Sequence, residues 1–135
     1  MLGTSKFITL EAAKKMVAAG EAEAMKNGWN VAIAIVGAHG ELILFHKLDE
    51  TQPGSIAVSQ GKARTSAHFK RPTKAMEEMI TGGKTAFLAV KGIIPIQGGL
   101  PVIAEGKVIG AIGVSGVTSA QDEQIAAAAL AALGS

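Results

Sequence analysis

Histidines are the side chains of this sequence that could transfer a proton or bind a metal near neutral pH. There are three, at positions 39, 46 and 68. His46 alternates with Leu42 and Leu44, which predicts that its imidazole lies on an otherwise apolar face near the end of a strand. Such an imidazole could act as an axial metal ligand or a general base, or it could only form a hydrogen bond to neighbouring backbone.

A metal site shared by the first two histidines is not predicted. His39 lies in the glycine-containing loop 37–40, and His46 follows seven positions later. Since a strand rises about 3.4 Å per residue, the two rings are too far apart to bind one ion. We therefore interpret His39 as a solvent-exposed turn residue, and a zinc site with three histidines is not predicted.

Positive charge is concentrated between positions 62 and 74. This basic segment contains Lys62, Arg64, His68, Lys70, Arg71 and Lys74. Arg64 and His68 are four positions apart and share one side of a predicted helix, whereas Lys62 lies on another side. The segment could bind carboxylates, most effectively through the planar fork of arginine. It could equally be a solvated basic face, or pair with acidic stretches of another subunit.

Two consecutive glycines, Gly98 and Gly99, precede a predicted strand. Flexible residues of this kind can direct backbone N–H groups into a small concavity that suits an anion. A tight turn without a ligand is the alternative interpretation. Both glycines are therefore candidate ligand-binding residues.

Several common catalytic motifs are excluded. Lys84 ends a "GGKT" sequence, but Glu78 stands where a phosphate-binding loop requires glycine. The glycines at 110, 113 and 116 do not have the spacing of a dinucleotide fingerprint. Ser115 and Ser119 lack an identifiable histidine and acid relay. There are 0 cysteines, which excludes disulfides, thiolate metal sites and cysteine nucleophiles.

The elements that position these residues follow from periodicity and turn signals. The pattern predicts four helices, at 10–26, 55–69, 74–80 and 120–133, and five strands, at 29–36, 41–47, 93–97, 100–104 and 107–114. The first two strands are apolar at nearly every position, which indicates a sheet covered on both faces. Pro95 makes the strand at 93–97 an edge strand. Five mainly antiparallel strands with helices on both faces predict an α+β fold.

Local signals define several boundaries. Glu105-Gly106 predicts a tight hairpin between the last two strands. Thr118 with Gln121, and Ser119 with Asp122, are two overlapping N-cap signatures before the last helix. In the middle of the chain, Gly61 predicts a close approach to the sheet, and Thr73 is a predicted N-cap.

Composition predicts one domain that spans residues 1–135. Hydrophobic residues make up 48% and charged residues 18%, so a packed core is expected and disorder is not. A chain of this size has much surface for its volume, yet its mean hydropathy is positive. We therefore expect part of the apolar surface to contact another subunit in a homo-oligomer.

Charge and aromatic content argue against a nucleic-acid partner. The net charge is only +2, and four Phe and one Trp, with no Tyr, are available for stacking on bases. No apolar run approaches the length of a membrane span, and the N-terminal residues contain no apolar signal region. We expect no membrane partner and a cytoplasmic location.

Several separated motifs resemble those of one known family. The sequences "GGLPV", "GKVIGAIGVSG" and "QDEQIAAAAL" are similar to the C-terminal signature of the GlcG/HbpS family, which includes the C-terminal domain of PduO-type proteins. "KLDET" and "GKARTSAHFKRPT" are similar to earlier family motifs in the same order. The resemblance therefore covers nearly the whole chain.

The resemblance implies a profilin-like α/β/α sandwich and an accessory protein that binds a small ligand, with haem as the suggested cofactor. A haem would have its carboxylates neutralised by Lys62, Arg64 and Arg71, and its iron ligated by His46 first and His68 second. The alternative is a lyase or isomerase that acts on a small organic or aromatic acid in a catabolic pathway. The same basic segment would then bind the substrate carboxylate.

Overall fold

The computed structural model describes residues 1–134. In chain order the elements are α1 (Leu10–Asn27), β1 (Ala32–Gly37), β2 (Leu42–Lys47), α2 (Gly54–Phe69), α3 (Thr73–Thr81), a 3₁₀ turn (Thr85–Ala89), β3 (Gly99–Ala104), β4 (Lys107–Ser115) and α4 (Ser119–Ala131). The sheet has the strand order β2-β1-β4-β3, and all neighbouring strands are antiparallel. The fold is therefore α+β, with helices on both faces of one sheet.

The predicted fifth strand is wrong, because the sheet in residues 1–134 has four strands and 93–97 is an irregular segment. Backbone donors of this segment bond to side chains of helices. Ile94 N–H donates to Thr65 Oγ1 at 2.9 Å, and Gln97 N–H donates to Glu77 Oε1 at 3.0 Å. Pro95 has no N–H to donate to a ladder. Apolar composition alone could not distinguish this arrangement from an edge strand.

Burial differs between the first two strands. All six residues of β1 are buried, which confirms that this strand is covered on both faces. β2 lies at the edge of the sheet, and Leu42, His46 and Lys47 are exposed. The prediction that both strands are fully covered is therefore wrong for β2. An edge strand has only one neighbour, so helices that cover the centre of a sheet leave it partly exposed.

The two faces of the sheet carry side chains of different sizes. Large aliphatic residues, among them Ile33, Ile35 and Ile112, pack with α1 and α4 into the main core. The other face is lined by small residues such as Ala34 and Ala111, which pack against α2. Helix α2 can therefore lie close to the sheet. This placement determines where its exposed residues, including Arg64 and His68 of the basic segment, meet the ends of the strands.

Two glycines are required for close packing at α2. A Cβ on Gly113 of β4 would collide with the backbone of Ser59 and Ala63 in α2. A Cβ on Gly61 would collide with the side chain of Ile94. The predicted close approach at Gly61 thus exists, but the partner is the irregular segment rather than the sheet.

Most local boundary signals are confirmed. Glu105 and Gly106 have φ angles of 53° and 76°, as a tight hairpin turn requires. Thr118 and Gln121 form a complete capping box at the start of α4. Thr73 is not an N-cap, because Pro72 has that position and the Thr73 hydroxyl instead accepts a bond from Gly99 N at 2.8 Å. Within residues 1–134, no helix is long and apolar enough to cross a bilayer.

Candidate functional site

The C-terminal end of α2 packs against the turn between β1 and β2. His68 lies on the last turn of α2, and its Nε2 is 2.9 Å from the carbonyl oxygen of His39 in that turn. Gly40 leaves room for the ring, because a Cβ there would collide with His68 Nε2. Two histidines that are 29 positions apart in the sequence are therefore neighbours.

An open groove of about 580 Å³ lies beside this contact. It is lined by Ser5, Ala38, His39, Ala67, His68, Lys70 and Val108. Its volume lies within the range of roughly 300–1,000 Å³ that is usual for small-molecule sites. The groove combines two imidazoles and an ammonium group with small and apolar side chains. We refer to it as the histidine groove.

The hydrogen bond to His39 determines the tautomer of His68. A carbonyl oxygen only accepts hydrogen bonds, so His68 Nε2 carries the proton and donates it. In the neutral ring, the lone pair is then on Nδ1. Within residues 1–134, neither His68 Nδ1 nor the ring of His39 forms a hydrogen bond to protein. Either ring could therefore bind a metal through a free nitrogen.

His46 lies away from the histidine groove. It pairs with Ile33 on the face of the sheet that α1 covers, and its Nδ1 is 3.0 Å from Glu21 Oε1 of α1. His68 is on α2, which packs on the opposite face. The structure does not bring His46 and His68 together, so one iron would not be bound by both within a single chain.

Lys62 is buried and separate from the exposed cations of the basic segment. Its ammonium is 3.1 Å from Asp122 Oδ2 and donates to the carbonyl oxygen of Val114 at 2.9 Å. The two side chains of this ion pair are only 2% and 3% exposed. The sequence grouped Lys62 with a possible ligand-binding surface, but the structure places it inside the molecule, where it connects α2 to α4.

The acid of this pair has a perturbed pKa. Burial raises the pKa of the Asp122 carboxyl above its ordinary value, against the Lys62 ammonium and the backbone N–H groups of Val117 and Gly116, which act to lower it. Asp122 Oδ1 accepts the Val117 N–H at 3.1 Å. The pair therefore fixes the loop between β4 and α4 as well as α2 itself.

Gly98 and Gly99 lie at the same buried junction. A Cβ on Gly98 would meet the Lys62 ammonium and the carbonyl of Val114, each at 2.7 Å. The N–H of Gly99 is used by Thr73, so it does not point into an open concavity. Both glycines permit close packing against Lys62 of α2.

The remaining predicted residues, Arg64 and Arg71, are exposed. Arg64 lines a second hollow, of about 100 Å³, together with His68 and Lys91. Arg71 donates from Nε to the carbonyl of Phe69 at 2.9 Å and from Nη1 to Met79 Sδ at 3.9 Å. His39, Val108 and Lys91 line these spaces but were not predicted as site residues from the sequence. No local signal marks them, because only long-range packing brings them to α2.

Metal sites built by several protein ligands are not present in the part of the chain that the structure describes. Residues 1–134 contain no group of three or more His, Cys, Asp or Glu side chains that could hold an ion. Iron in a haem needs only one or two ligands from the protein, because the macrocycle supplies the others. The free nitrogens of His39 and His68 fit that smaller requirement.

Comparison with known proteins identifies close relatives over almost the full length. Residues 8–131 match the family described as haem degrading protein HbpS-like. The chain is 43% identical to Protein GlcG of Escherichia coli (strain K12) over 112 residues, which is 83% of this chain and 84% of that protein.

Solved structures share the fold over almost the whole chain. The crystal structure of HbpS superposes with a TM-score of 0.93 at 32% identity, covering 99% of this chain and 95% of that one. A crystal structure of PduOC in complex with haem has a TM-score of 0.89 at 22% identity, with 96% of both chains covered, and shows the shared fold. None of these relatives is described as a lyase or an isomerase.

Proposed function

The chain belongs to the HbpS-like family, and on that premise we propose that it is an accessory protein that binds haem in the histidine groove. The observation that carries the proposal is the position of His68, which lines a groove of sufficient volume and whose Nδ1 has no hydrogen bond to the described part of the chain. The family description and the haem complex of PduOC support haem as the ligand class. The groove is open, which suits reversible binding by an accessory protein.

Individual residues have distinct roles in this proposal. His68 Nδ1 would ligate the iron, and the ring of His39 is the second candidate at the same groove. Lys70 lines the groove, so its ammonium can neutralise a propionate. Arg71 is exposed next to it in the chain and is the second candidate for this role. Ala67 and Val108 offer small apolar surface to the macrocycle. Bound haem would supply redox and oxygen chemistry, whereas the chain's own residues bind and orient it.

His46 remains a competing ligand. Its Nδ1 is occupied by Glu21, which leaves Nε2 at the exposed sheet edge. A carboxylate on one nitrogen is a common partner of metal-binding histidines. However, His46 does not line the histidine groove, whereas His68 does. We therefore place His68 before His46, the reverse of the order expected from sequence.

Hemin titration followed at the Soret band tests the proposal. We expect a saturable shift for the parent protein, retained in His46→Ala and lost in His68→Ala. Loss of the ligand should weaken binding at least about tenfold, since even partners outside the ligand shell cost that much. His46→Ala is the matched control because both histidines are exposed. Far-UV circular dichroism verifies that both variants fold.

Two results would reject the assignment. Identical, non-saturating titrations of all three proteins would show that haem is not a specific ligand. Loss of the shift in His46→Ala alone would move the site to the opposite face of the sheet. His39→Ala separates the two groove histidines, because it removes the ring but keeps the carbonyl that orients His68.

We also propose that the protein is a homo-oligomer. Several large apolar side chains are exposed on one chain, namely Phe7, Leu42, Leu88, Ile96 and Ile103. Both edge strands, β2 and β3, offer unpaired backbone groups. Size-exclusion chromatography with light scattering measures the mass directly. A mass of 13.7 kDa at all concentrations would contradict the proposal.

A further inference from the structure

A second hollow that is also lined by His68 lies between α2 and the chain that follows the 3₁₀ turn. It is lined by Arg64, Thr65, His68 and Phe69 of α2 and by the segment Lys91, Gly92 and Ile93. We refer to it as the Arg64 hollow. Its volume is about 100 Å³. That is well below the roughly 300 Å³ at which pockets for drug-sized ligands begin, so a haem macrocycle does not fit.

The far wall of the Arg64 hollow is held in place by specific contacts. Ile94 packs against Gly61, where any larger residue would collide with it. The N–H of Ile94 donates to Thr65 Oγ1 at 2.9 Å, and that hydroxyl in turn donates to the carbonyl of Gly61 at 2.7 Å. Thr65 is buried. Ile94 therefore attaches residues 91–93 to α2, and the fold itself fixes this wall of the hollow.

Its charge is positive and not compensated by acids. Arg64 and Lys91 line the hollow with His68, and among its lining residues within 1–134 there is no Asp or Glu. The ion pairs formed within that range are Lys6 with Glu105, Lys26 with Glu23, His46 with Glu21, and Lys62 with Asp122. None of them uses a cation of the hollow. Two cations facing one small space attract an anion.

Size and apolar surface define the class of anion. A water molecule occupies about 30 Å³ of liquid, so the hollow has room for about three waters or an anion of a few heavy atoms. Phe69 and Ile93 form an apolar part of the lining. A carboxylate with a short alkyl chain matches both the cations and the apolar lining. Its oxygens can contact the guanidinium fork, and its carbons can contact the apolar wall.

We propose that the Arg64 hollow binds a short-chain carboxylate and that haem is not required for this binding. Arg64 and Lys91 bind the carboxylate oxygens, and Phe69 with Ile93 contacts the alkyl chain. Nothing in the proposal requires the histidine groove to bind a macrocycle. A chain that failed to bind hemin would still be expected to bind the carboxylate, so the two proposals fail separately.

Amide NMR titration with sodium propionate tests this assignment, with sodium chloride at equal ionic strength as the reference. We expect saturable shifts at Thr65, Gly92 and Ile93. Arg64→Gln and Lys91→Gln should each weaken binding roughly tenfold, since each removes a charge-assisted contact. Lys14→Gln is the matched control, because Lys14 is an exposed cation on α1 that does not line the hollow. Its affinity for propionate should equal that of the parent.

Three results would overturn the proposal. The first is equal affinity in all three variants, which would indicate general attraction to positive charge. The second is tighter binding of inorganic phosphate than of propionate, which would contradict the apolar contact. The third is shifts that do not saturate, or that match those produced by chloride. Because Arg64 and Lys91 are exposed, their substitution should leave the fold intact, and the unperturbed amide spectra verify that.

Discussion

Lys62 illustrates how burial changes the role of a charged residue. An exposed lysine in the basic segment would attract anions, but this one is enclosed with Asp122. Removing two charges from water is costly, and the pair is retained only where hydrogen bonds satisfy the remaining groups. Here Val114 and Val117 supply backbone partners. The residue stabilises a junction and does not enlarge the ligand-binding surface.

Breaking the pair should be strongly destabilising. Lys62→Met leaves the Asp122 carboxylate buried without its counter-ion, so we expect the free energy of unfolding to fall by about 3–5 kcal/mol. The double variant Lys62→Met with Asp122→Leu should recover much of that loss, because it leaves no buried charge. Urea unfolding measures both. A single variant as stable as the parent would show that the pair contributes little.

The raised pKa of Asp122 predicts a specific pH dependence. Between its ordinary value of 3.8 and the higher native value, the folded protein binds more protons at this carboxyl than the unfolded chain does. The free energy of unfolding therefore falls as pH rises through that window. Relative to Asp122→Asn, the parent should gain stability as pH falls through the window, and the difference should be constant above it. A difference that grows with rising pH would contradict the shift.

At the scale of elements, the contact between α2 and the sheet controls the position of the site. The sheet surface under α2 is lined by alanine and glycine, so the helix backbone approaches the strands closely. The positions of His68 and Arg64 depend on that distance, since both residues are carried by α2. His68 lines the histidine groove, and both residues line the Arg64 hollow with the 91–93 segment. The position of α2 therefore determines the position of the site.

A methyl group at Gly113 tests this dependence. Gly113→Ala would collide with the backbone of α2, so we expect a loss of about 1–3 kcal/mol in the free energy of unfolding and a displaced helix. The affinity for hemin should also fall, because the displaced helix carries His68. Gly54→Ala is the control, because a Cβ there meets nothing within 4 Å. Denaturant unfolding compares the two, and equal stability of both variants would show that α2 tolerates a wider separation.

At the scale of the whole molecule, His68 connects the two proposed sites, since it lines both the histidine groove and the Arg64 hollow. A ligand bound in either space restricts the positions that the shared His68 side chain can adopt for the other ligand. The two ligands should therefore oppose each other. By linkage, the effect on affinity is the same in both directions.

Saturating propionate should weaken hemin binding to the parent protein by about fivefold or more, which is the lower range of measured coupling between sites. At the lowest propionate concentration that saturates the parent, the effect should be clearly smaller in Lys91→Gln, which weakens propionate binding roughly tenfold but leaves the histidine groove intact. Sodium chloride at equal ionic strength controls for screening. Equal weakening in parent and variant would show that the two sites are not coupled through His68.

Local chemistry allowed several features to be determined from the sequence alone. The hairpin at Glu105-Gly106 and the capping box of Thr118 with Gln121 depend on residues a few positions apart. The helices and four of the five expected strands follow from apolar periodicity. Family membership also follows from motifs in order along the chain. The turn, the capping box, each periodic segment and each motif occupy only a short stretch of sequence. They can therefore be interpreted without knowledge of the packing.

Only the tertiary structure decided which residues form the site. Lys62 and Asp122 are 60 positions apart, and His39 and His68 are 29 apart, so no local pattern relates them. The segment 93–97 has the composition of a strand, yet its N–H donors bond to Thr65 and Glu77. Burial and hydrogen-bond partners depend on how α2 lies on the sheet. That packing, and not residue type, separates the buried lysine from the exposed cations around His68.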